Sequence, residues 1–391
     1  MSVDVTEDVR ARREEMVSLR RDLHAHPETA FREERTARLV AERLAAFGLE
    51  VSTGSARTGV TAVIQGNAPG PTLMLRADMD ALPIQETSDR PYASRNPGVM
   101  HACGHDGHTA ALVTVASILA ERRNDLNGRV LLVFQRAEEI MGGASLMIEE
   151  GVMTDPPVDR VLGFHLWNGL PVGQVGVKPG AIFAAVDEIE LVVKGTGGHG
   201  AMPHQTVDPI PVAAQVISAL QSLISREKHY AEGAVLTIGR IQGGTAFNII
   251  ATEVEMKGTL RTFDEGLRRQ ILARIPEVMA GICAAFNAEF EFRHLQGCPA
   301  VMNDPEVADF VRRVATKVVG EANLPAVVPS TVGDDMALFQ LRAPGCYFLV
   351  GSSNADAGLD APHHSSGFDF DEDALMVAAE TLSRATLEYL G

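Results

Sequence analysis

One short segment of the sequence, residues 101–108, is dense in side chains that can bind metal ions. It contains one thiol, three imidazoles and one carboxylate: His101, Cys103, His105, Asp106 and His108. Thiolate and imidazole suit zinc, manganese, cobalt or nickel, and the two-residue spacing lets Cys103 and His105 reach one ion from a single turn. A solvated, histidine-rich loop is the alternative, but cysteine is usually a buried residue. The segment therefore predicts a metal site.

Further candidate ligands follow four apolar runs that are typical of buried strands. Asp78 and Asp80 follow residues 71–76, Glu138 and Glu139 follow 129–134, His165 follows 158–164, and His363 and His364 follow 346–350. In open α/β sheets, ligands gather beyond the carboxyl ends of the strands. The four strand ends and the Cys103/His105 segment are therefore expected to converge on one site with enough ligands for two metal ions.

Each of these groups also has a purely structural interpretation. The aspartates could cap the turn before Pro83, the glutamates could begin a helix, His165 could be a hydrogen-bonded core residue, and the histidine pair could lie on a surface loop. All of these interpretations would have to hold together to remove the site.

The adjacent residues Glu138 and Glu139 allow a division of labour, because neighbouring side chains point in different directions. One can bind metal while the other faces the substrate and transfers protons. Two neighbouring metal ions can activate water and stabilise the oxyanion that forms when the water attacks a carbonyl. The combination favours a hydrolase over a metal-storage protein.

The hydrophobic periodicity of the first part of the chain indicates an α/β fold. Amphipathic helices are expected at residues 9–24 and 33–47, with Gly48 ending the second helix. Apolar strands then alternate with helical stretches, which is typical of a layered α/β sheet.

From Val186 the expected order changes to strand, helix, strand, strand, helix, strand, which is typical of a ferredoxin-like unit. The α/β pattern resumes after about Pro299. We therefore predict a catalytic domain built from residues 1–185 and 299–391 and interrupted by a lid domain of residues 186–298.

The composition narrows the choice of partners and location. The 391 residues are 46% hydrophobic, enough for two domains, and their formal net charge of −17 argues against nucleic acid or an anionic membrane as a partner. The N-terminus lacks the apolar region of a signal peptide, and no stretch reaches transmembrane length. The four cysteines are scattered, which fits a reducing compartment. We expect a cytoplasmic protein.

Five motifs of the chain occur together in the order typical of a known enzyme family: Leu75–Pro83, His101–His108, Gln135–Glu139, Gly197–His204 and His364–Glu372. With Leu23–Glu28 they resemble the aminoacylase/carboxypeptidase family of dinuclear-metal amidohydrolases, most closely its hippurate hydrolase and indole-acetyl-amino-acid hydrolase branch. The resemblance spans nearly the whole chain. It implies a zinc-exopeptidase-like, three-layer αβα catalytic domain with an inserted ferredoxin-like α+β lid domain.

The resemblance also implies a role for each matching residue. The implied metal ligands, for two divalent ions (Zn, Mn, Co or Ni) per subunit with the sulfur shared, are Cys103, His105, Glu139, His165 and His364. Glu138 matches the general base, and Asp80 matches a carboxylate that supports the site. His199 matches a histidine that polarises the scissile carbonyl, often across a dimer. Asn248 and Arg261 match positions that hold the carboxylate of the substrate.

The implied reaction is hydrolysis of the amide bond of an N-acyl-amino acid, giving a carboxylic acid and a free amino acid, in a homodimer or homotetramer. A metallo-carboxypeptidase or dipeptidase on the same scaffold is the alternative enzyme. A metal- or carboxylate-binding protein without catalysis and a hydrolase that uses Cys103 as nucleophile are alternatives of other classes.

The chain departs from the family pattern at four positions: Arg136, Ile140, Met141 and Ser366. These departures concern the acyl pocket more than the reaction. Four further histidines fall within the motifs but not at ligand positions, and we expect them to support the site: His101, His108, His204 and His363.

Overall fold

Strands and helices alternate through residues 3–54, 58–229 and 233–391, the part of the chain that the computed structural model describes. The strands are β1 (Glu50–Thr53), β2 (Val60–Gln65), β3 (Ala68–Asp78), β4 (Asn127–Gln135), β5 (Arg160–Pro171), β6 (Val175–Gly176), β7 (Gly180–Phe183), β8 (Ala185–Lys194), β9 (Gly198–His199), β10 (Ala234–Gly243), β11 (Ile249–Ile250), β12 (Glu253–Thr262), β13 (Glu289–Cys298), β14 (Val301–Asn303) and β15 (Gly345–Ser353). The α-helices are α1 (Thr6–Ala11), α2 (Arg13–Ala25), α3 (Glu34–Ala46), α4 (His105–Glu121), α5 (Gly143–Glu149), α6 (Pro209–Arg226), α7 (Glu265–Ala285), α8 (Pro305–Val319), α9 (Met336–Gln340) and α10 (Asp373–Leu390). Short 3₁₀ helices lie at Arg123–Asp125, Pro203–Gln205, Glu321–Asn323 and Ala355–Ala357.

Seven strands form one sheet in the order β1-β2-β4-β3-β5-β15-β6. The central strands β4, β3, β5 and β15 are mutually parallel, whereas the remaining pairings, β1 with β2, β2 with β4 and β6 with β15, are antiparallel. The parallel strands are apolar runs buried on both faces, as a covered parallel sheet requires. The prediction of an α/β fold is confirmed.

Helices cover both faces of this sheet. Successive side chains of a strand point to opposite faces, so each face presents apolar residues that a helix layer buries. On one face, Leu73 and Leu75 of β3 belong to the main core, which includes α4 and α10. On the other face, a Cβ on Gly163 of β5 would lie 3.0 Å from the ring of Tyr347 in β15 and 3.3 Å from the Met336 side chain of α9. The arrangement has the three layers, helix on sheet on helix, that the family resemblance implies. Among the described residues, no helix has both the length and the apolar character needed to cross a bilayer.

The second large sheet has four antiparallel strands in the order β10-β12-β8-β13. With α6 after β8 and α7 after β12, this order gives the ferredoxin-like arrangement that the sequence predicts. Both helices begin at an aspartate whose carboxylate accepts a backbone N–H, Asp208 for α6 and Asp264 for α7. Their apolar faces pack on the alternating apolar side chains of β8.

The chain divides into two compact units. Unit 1 comprises the described parts of Met1–Ile182, Met302–Val328 and Asp334–Gly391, and unit 2 comprises Phe183–Val301 and Pro329–Gly333, again in their described parts. Residues 329–333 belong with unit 2, where the N–H of Ala184 donates to the carbonyl of Ser330 at 3.1 Å. The sequence pattern assigned this short segment to the catalytic domain, since the two backbone hydrogen bonds from Ala184, to the carbonyls of Ser330 and Val332, leave no periodic signal.

A buried arginine connects the start of α4 to two other parts of unit 1. Arg20 is 0% exposed and donates to Asp106 at 2.8 Å and to Asp369 at 2.6 Å. His24, one turn further along α2, lies 2.7 Å from Asp106 through Nδ1. Burial alone would raise the pKa of Asp106, but Arg20 and His24 hold it well below its usual range. The Leu23–Glu28 and His101–His108 motifs are therefore joined by one ionic network.

Replacement of this arginine tests the network. Arg20→Met removes the buried cation that Asp106 and Asp369 share, leaving His24 beside the first and the partly exposed Arg90 beside the second, and is expected to destabilise the protein by about 3–5 kcal/mol at pH 7. Arg21→Ala removes the neighbouring, half-exposed ion pair with Glu372 and should cost at most about 1 kcal/mol. Urea denaturation of both variants measures the difference. Because Arg20 depresses the pKa of Asp106, the loss should shrink as the pH falls below about 4. Equal stability of the two variants at pH 7 would contradict this view of Arg20.

Candidate metal centre

Six predicted site residues of unit 1 come together although they lie on four separate segments of the chain. Cys103 and His105 stand at the start of α4, Glu138 and Glu139 in the loop after β4, His165 in β5, and His364 in the loop before α10. Gly104 has a φ of 90°, a left-handed conformation that glycine adopts freely, and this turn leads from the cysteine into the helix.

Two groups of candidate ligands share the sulfur of Cys103. The ligand atoms of Cys103, His105 and His165 all lie within 4.8 Å of one another, and so do those of Cys103, Glu139 and His364. The sulfur is 3.5 Å from Nε2 of His165, and Nε2 of His364 is 3.4 Å from Oε2 of Glu139. A sulfur common to two groups of three is the arrangement expected of a ligand that bridges two ions.

Backbone carbonyls fix the orientation of two of the imidazoles. Nδ1 of His105 lies 2.9 Å from the carbonyl oxygen of Asp80, and Nδ1 of His165 lies 2.5 Å from that of Leu166. A carbonyl accepts only, so each Nδ1 carries the proton and donates. In the neutral ring each Nε2 then presents its lone pair, which is the form of imidazole that binds metals.

Unsatisfied buried atoms show that this donor set suits cations. Nε2 of His105 and Oε1 of Glu139 are buried without a hydrogen-bond partner in the described structure and lie 3.8 Å apart. Buried polar atoms nearly always have partners, because an unpaired one costs free energy. One thiolate, three imidazoles and a carboxylate fit zinc, manganese, cobalt or nickel.

The electrostatics of the cluster lead to the same conclusion. Burial, followed by Glu139 and Glu138, raises the pKa of the Cys103 thiol well above its usual value. Burial opposes the protonation of His105, but Asp78 and the Asp80 contact outweigh it and raise the pKa of His105 to about 10. Without cations, the cluster therefore retains protons, and divalent ions would replace them.

Glu138 lies beside the ligands but has different surroundings. Its side chain is buried, and Oε2 is 4.0 Å from Nε2 of His105. It also lies within 4.8 Å of the carboxylates of Asp334 and Asp335. Burial, followed by Asp334 and Glu139, raises the pKa of Glu138 well above its usual value. A carboxyl group in this position can exchange protons with a molecule that occupies the centre.

Asp80 holds the loop that carries both glutamates, residues 136–142, which we call the base loop. Its two carboxylate oxygens accept the backbone N–H groups of Glu138 and Glu139, each at 3.0 Å. Asp78 serves the imidazoles and a buried arginine, since it contacts Nδ1 of His108 at 2.6 Å and accepts from Arg76 at 2.7 Å. Asp80 thus supports the site through the backbone.

One sequence-based detail is wrong. The apolar pattern placed the end of the third predicted strand at Phe164, with His165 beyond it, but β5 continues to Pro171. The neighbouring β3 pairs with β5 only as far as Gly163, whereas β15 continues beside β5 as far as Pro171. His165 is therefore inside a strand, just beyond the last residue of β5 that pairs with β3, and its side chain still reaches the centre.

Sequence reasoning missed three buried groups next to the base loop. Arg76 is 0% exposed and donates to Asp334 at 3.1 Å, with Asp335 3.4 Å away. Asp335 also accepts from Gln135 at 2.6 Å and from the N–H of Ala144 at 3.0 Å, on either side of the base loop. An arginine within an apolar strand and two adjacent aspartates were the available signals.

The four motif histidines that were expected to support the site have distinct surroundings. Nε2 of His108 accepts the N–H of Leu166 at 2.9 Å, and Nε2 of His363 lies 2.9 Å from the Leu166 carbonyl. His101 is buried, and neither of its ring nitrogens has a hydrogen-bond partner in the described structure. His204 is exposed in a 3₁₀ helix of unit 2.

The three remaining predicted residues all belong to unit 2. His199 is exposed in β9, and the N–H of Gly200 donates to the carbonyl of the exposed residue Asn248 at 2.9 Å. His199 and Asn248 therefore lie on neighbouring segments of the chain. Arg261 is in β12, and its guanidinium donates to the Thr259 hydroxyl and, at 3.2 Å, to the carbonyl of Leu260. Their predicted roles toward a substrate stay predictions.

Unit 1 is a three-layer αβα domain with two ligand groups that share a sulfur and a separate buried carboxyl beside them. This combination defines a metal-dependent hydrolase with a dinuclear centre. Residues 74–388 match the family described as peptidase family M20/M25/M40, and the chain belongs to this family.

Named relatives agree with this assignment. An N-acyl-L-amino acid amidohydrolase of Geobacillus stearothermophilus is 47% identical over 294 residues, covering 75% of this chain and 79% of the relative. Thermostable carboxypeptidase 2 of Saccharolobus solfataricus is 39% identical over 376 residues, covering 95% and 94%. The crystal structure of the Bacillus subtilis YXEP protein, described as a dinuclear metal binding peptidase from the M20 family, is 36% identical with a TM-score of 0.85, covering 97% and 99%.

Metal removal tests the centre without an activity assay. A chelator should lower the melting temperature, and Zn²⁺, Mn²⁺, Co²⁺ or Ni²⁺ should restore it, because an ion that binds only the folded chain stabilises it by about 2.7 kcal/mol at 100 times its Kd. The single tryptophan, Trp167, has its ring centre 5.7 Å from that of His165 and should lose fluorescence when Co²⁺ or Ni²⁺ binds.

Two cysteine variants provide the comparison for this experiment. Cys103→Ala should weaken both the thermal and the fluorescence response, whereas Cys283→Ala, at a buried cysteine in the core of unit 2, should preserve them. A wild-type protein that shows neither response to any of the four ions would contradict the metal centre.

Proposed function

We propose that the protein hydrolyses the amide bond of N-acyl-amino acids, with acetyl, benzoyl or similar acyl groups, to a carboxylic acid and a free amino acid. The observation that carries this proposal is the position of Glu138, a buried carboxyl beside the ligand groups whose Oε2 lies 4.0 Å from Nε2 of His105. The name of the Geobacillus relative supports the choice of substrate class.

Within this proposal, Glu138 is the proton carrier. Two bound divalent ions would supply Lewis acidity to the scissile carbonyl and to the attacking water. Glu138 accepts a proton from that water as its oxygen attacks the carbonyl carbon, and it gives a proton to the amine nitrogen as the carbon–nitrogen bond breaks. The hydroxyl of the water thus becomes part of the carboxylic acid, and its other proton goes to the amine of the amino acid. No covalent bond to the enzyme forms.

His199 is the proposed donor to the carbonyl oxygen. Its Nδ1 accepts the N–H of Ala201 at 3.0 Å, so in the neutral ring the proton is on Nε2. An exposed Nε2–H can donate to an oxygen on which negative charge develops. Asn248, next to His199 on the adjacent segment, and Arg261, with its positive charge, are proposed to bind the carboxylate of the amino acid.

The resemblance to Thermostable carboxypeptidase 2 favours one second candidate, a metallo-carboxypeptidase or dipeptidase. A peptide is an N-acyl-amino acid with a larger acyl part, so the same groups can act on both. Rates on acetyl, benzoyl and indole-acetyl amino acids, compared with short peptides, decide between the two. A clear preference for peptides would overturn the first proposal in favour of the second.

The alternative in which Cys103 is the nucleophile is not favoured by its surroundings. A thiol attacks as thiolate, which needs a nearby positive charge, whereas Cys103 faces burial and two glutamates that raise its pKa. A protein that only stores metal would have no use for a buried, proton-exchanging Glu138 beside its ligands.

We further propose a cytoplasmic homodimer or homotetramer that binds neither nucleic acid nor membrane. All four cysteines are free, which suits a reducing compartment. Unit 2 exposes Phe247, Ile249 and Ile241, and β10 is an edge strand of its sheet. An exposed edge with apolar side chains is a surface that a second copy of the chain could cover.

Substitution of each glutamate in turn separates base from ligand. Glu138→Gln retains size but cannot accept the proton, so kcat on the preferred N-acyl-amino acid should fall about 10²-fold to 10⁴-fold with the metal content unchanged. Glu139→Gln, the matched variant one residue away, should instead lose metal. Metal analysis alongside kinetics checks both, and interchanged results would mean that the two roles are assigned in reverse.

His199 can be tested in the same assay. His199→Ala should bind metal normally and lose about 10²-fold to 10³-fold in kcat, as expected for a lost oxyanion donor. If the histidine acts on the partner subunit, mixing His199→Ala with Glu138→Gln subunits should restore part of the activity, because a hybrid dimer has one site with both groups. Unchanged kcat in His199→Ala would make the residue structural, and a loss that exchanging subunits cannot repair would place it in its own subunit's site.

A further inference from the structure

A buried carboxylate from a distant part of the chain contacts the base loop. Glu33, the residue before α3, is 0% exposed, and its Oε1 accepts the N–H of Ala137 at 2.9 Å and that of Phe31 at 3.1 Å. Its Oε2 accepts the hydroxyl of Thr58 at 2.7 Å. Ala137 is the residue directly before Glu138. Glu33 therefore hydrogen-bonds to the backbone one residue away from the proposed base.

Both residues that donate to Oε1 have a backbone conformation that side chains disfavour. The φ angle of Phe31 is 61° and that of Ala137 is 51°, in the left-handed region where residues other than glycine are uncommon. Met141, in the same loop, has a φ of 53°, and the ligand His364 has a φ of 61°. Strained residues of this kind persist only where the surroundings hold them, and they are often found at functional sites.

The left-handed turn at Ala137 sets the path of the base loop. The loop then returns so closely that a Cβ on Gly143 would lie 1.6 Å from the carbonyl oxygen of Arg136. Asp80 holds the N–H groups of Glu138 and Glu139, and Glu33 holds the N–H just before them. If Ala137 relaxed to an ordinary φ, the direction of the chain entering Glu138 would change.

We infer that Glu33 is a positioning residue, which places the Glu138 carboxylate by holding Ala137 in its left-handed conformation. It acts through the backbone, because its carboxylate accepts the N–H groups of Phe31 and Ala137 and the hydroxyl of Thr58. The inference rests on the proposed function, because it assigns Glu33 a part in the reaction of Glu138. A purely structural role for Glu33, in starting α3 or holding Thr58, would not depend on the residue at position 137.

The test is a double-mutant cycle between positions 33 and 137. Glu33→Ala should lower kcat on the N-acyl-amino acid by about 10²-fold, the loss expected of a catalytic group displaced by about 1 Å, with KM and metal content little changed. In a chain that carries Ala137→Gly, the same substitution should cost much less, because glycine adopts a positive φ without a hydrogen bond to hold it. Equal losses in both backgrounds would overturn the inference.

Three further variants complete the experiment. Glu33→Gln should keep most of the activity, since its amide oxygen can still accept both N–H groups while its NH₂ donates to the Thr58 hydroxyl. Thr58→Val removes only the contact to Oε2 and should leave kcat near that of the wild type. If Glu33→Ala does not fold, Glu33→Asp replaces it in the cycle. The aspartate side chain is one methylene shorter, so its carboxylate lies farther from the N–H of Ala137. A Thr58→Val loss equal to that of Glu33→Ala would also overturn the inference.

Hydrogen exchange of the metal-free protein gives a readout without catalysis. The amide of Ala137 should exchange faster in Glu33→Ala than in the wild type, and Thr58→Val should not change it. A wild-type protein that hydrolyses none of the N-acyl-amino acids would refute the proposed function, yet this measurement would still test whether Glu33 holds the loop. Unchanged exchange in Glu33→Ala would refute the positioning role even if hydrolysis is confirmed.

Discussion

Mutual repulsion among buried carboxylates is the constraint on which the rest of the site depends. Six carboxylates, five of them buried and Glu139 partly buried, gather at the carboxyl ends of the central strands: Asp78, Asp80, Glu138, Glu139, Asp334 and Asp335. Burying a charge is costly unless it is paired or hydrogen-bonded. Arg76 contacts three of the six, and backbone N–H groups satisfy Asp80. Two divalent ions, held by the sulfur and the imidazoles, would compensate the remaining negative charge.

The parallel sheet explains how so many polar groups can lie together inside an apolar framework. Its strands are buried on both faces, so polar residues can gather only where the strands end. The start of α4 lies at the same edge and contributes Cys103 and His105, while Arg20 holds the next residue, Asp106, through an ion pair. One short segment therefore contributes both to stability and to metal binding. Asp106 stabilises the fold, and its neighbours Cys103 and His105 are candidate ligands of the ions.

The sequence was sufficient for those parts of the site that are encoded as side-chain types at fixed spacing. The His101–His108 segment, the strand ends and the ferredoxin-like order of unit 2 all leave periodic or compositional signals. It was insufficient where the contact is between a side chain and a distant backbone N–H, as for Glu33 with Ala137 and Asp335 with Ala144. Such a contact requires no particular side chain on the donor residue, so one half of the pair has no signature. The end of β5 was missed for a similar reason, because the length of a strand depends on its neighbours.

The choice of alanine at position 137 illustrates what a strained backbone contributes. Glycine would adopt the φ of 51° without cost, but it would also admit many other conformations of the base loop. Alanine has fewer alternatives, and the hydrogen bond from its N–H to the buried carboxylate of Glu33 offsets the unfavourable φ. A base that must take a proton from one molecule and return it to another needs a carboxylate held within a fraction of an ångström. A strained residue held by a buried carboxylate restricts the loop more than a relaxed glycine would.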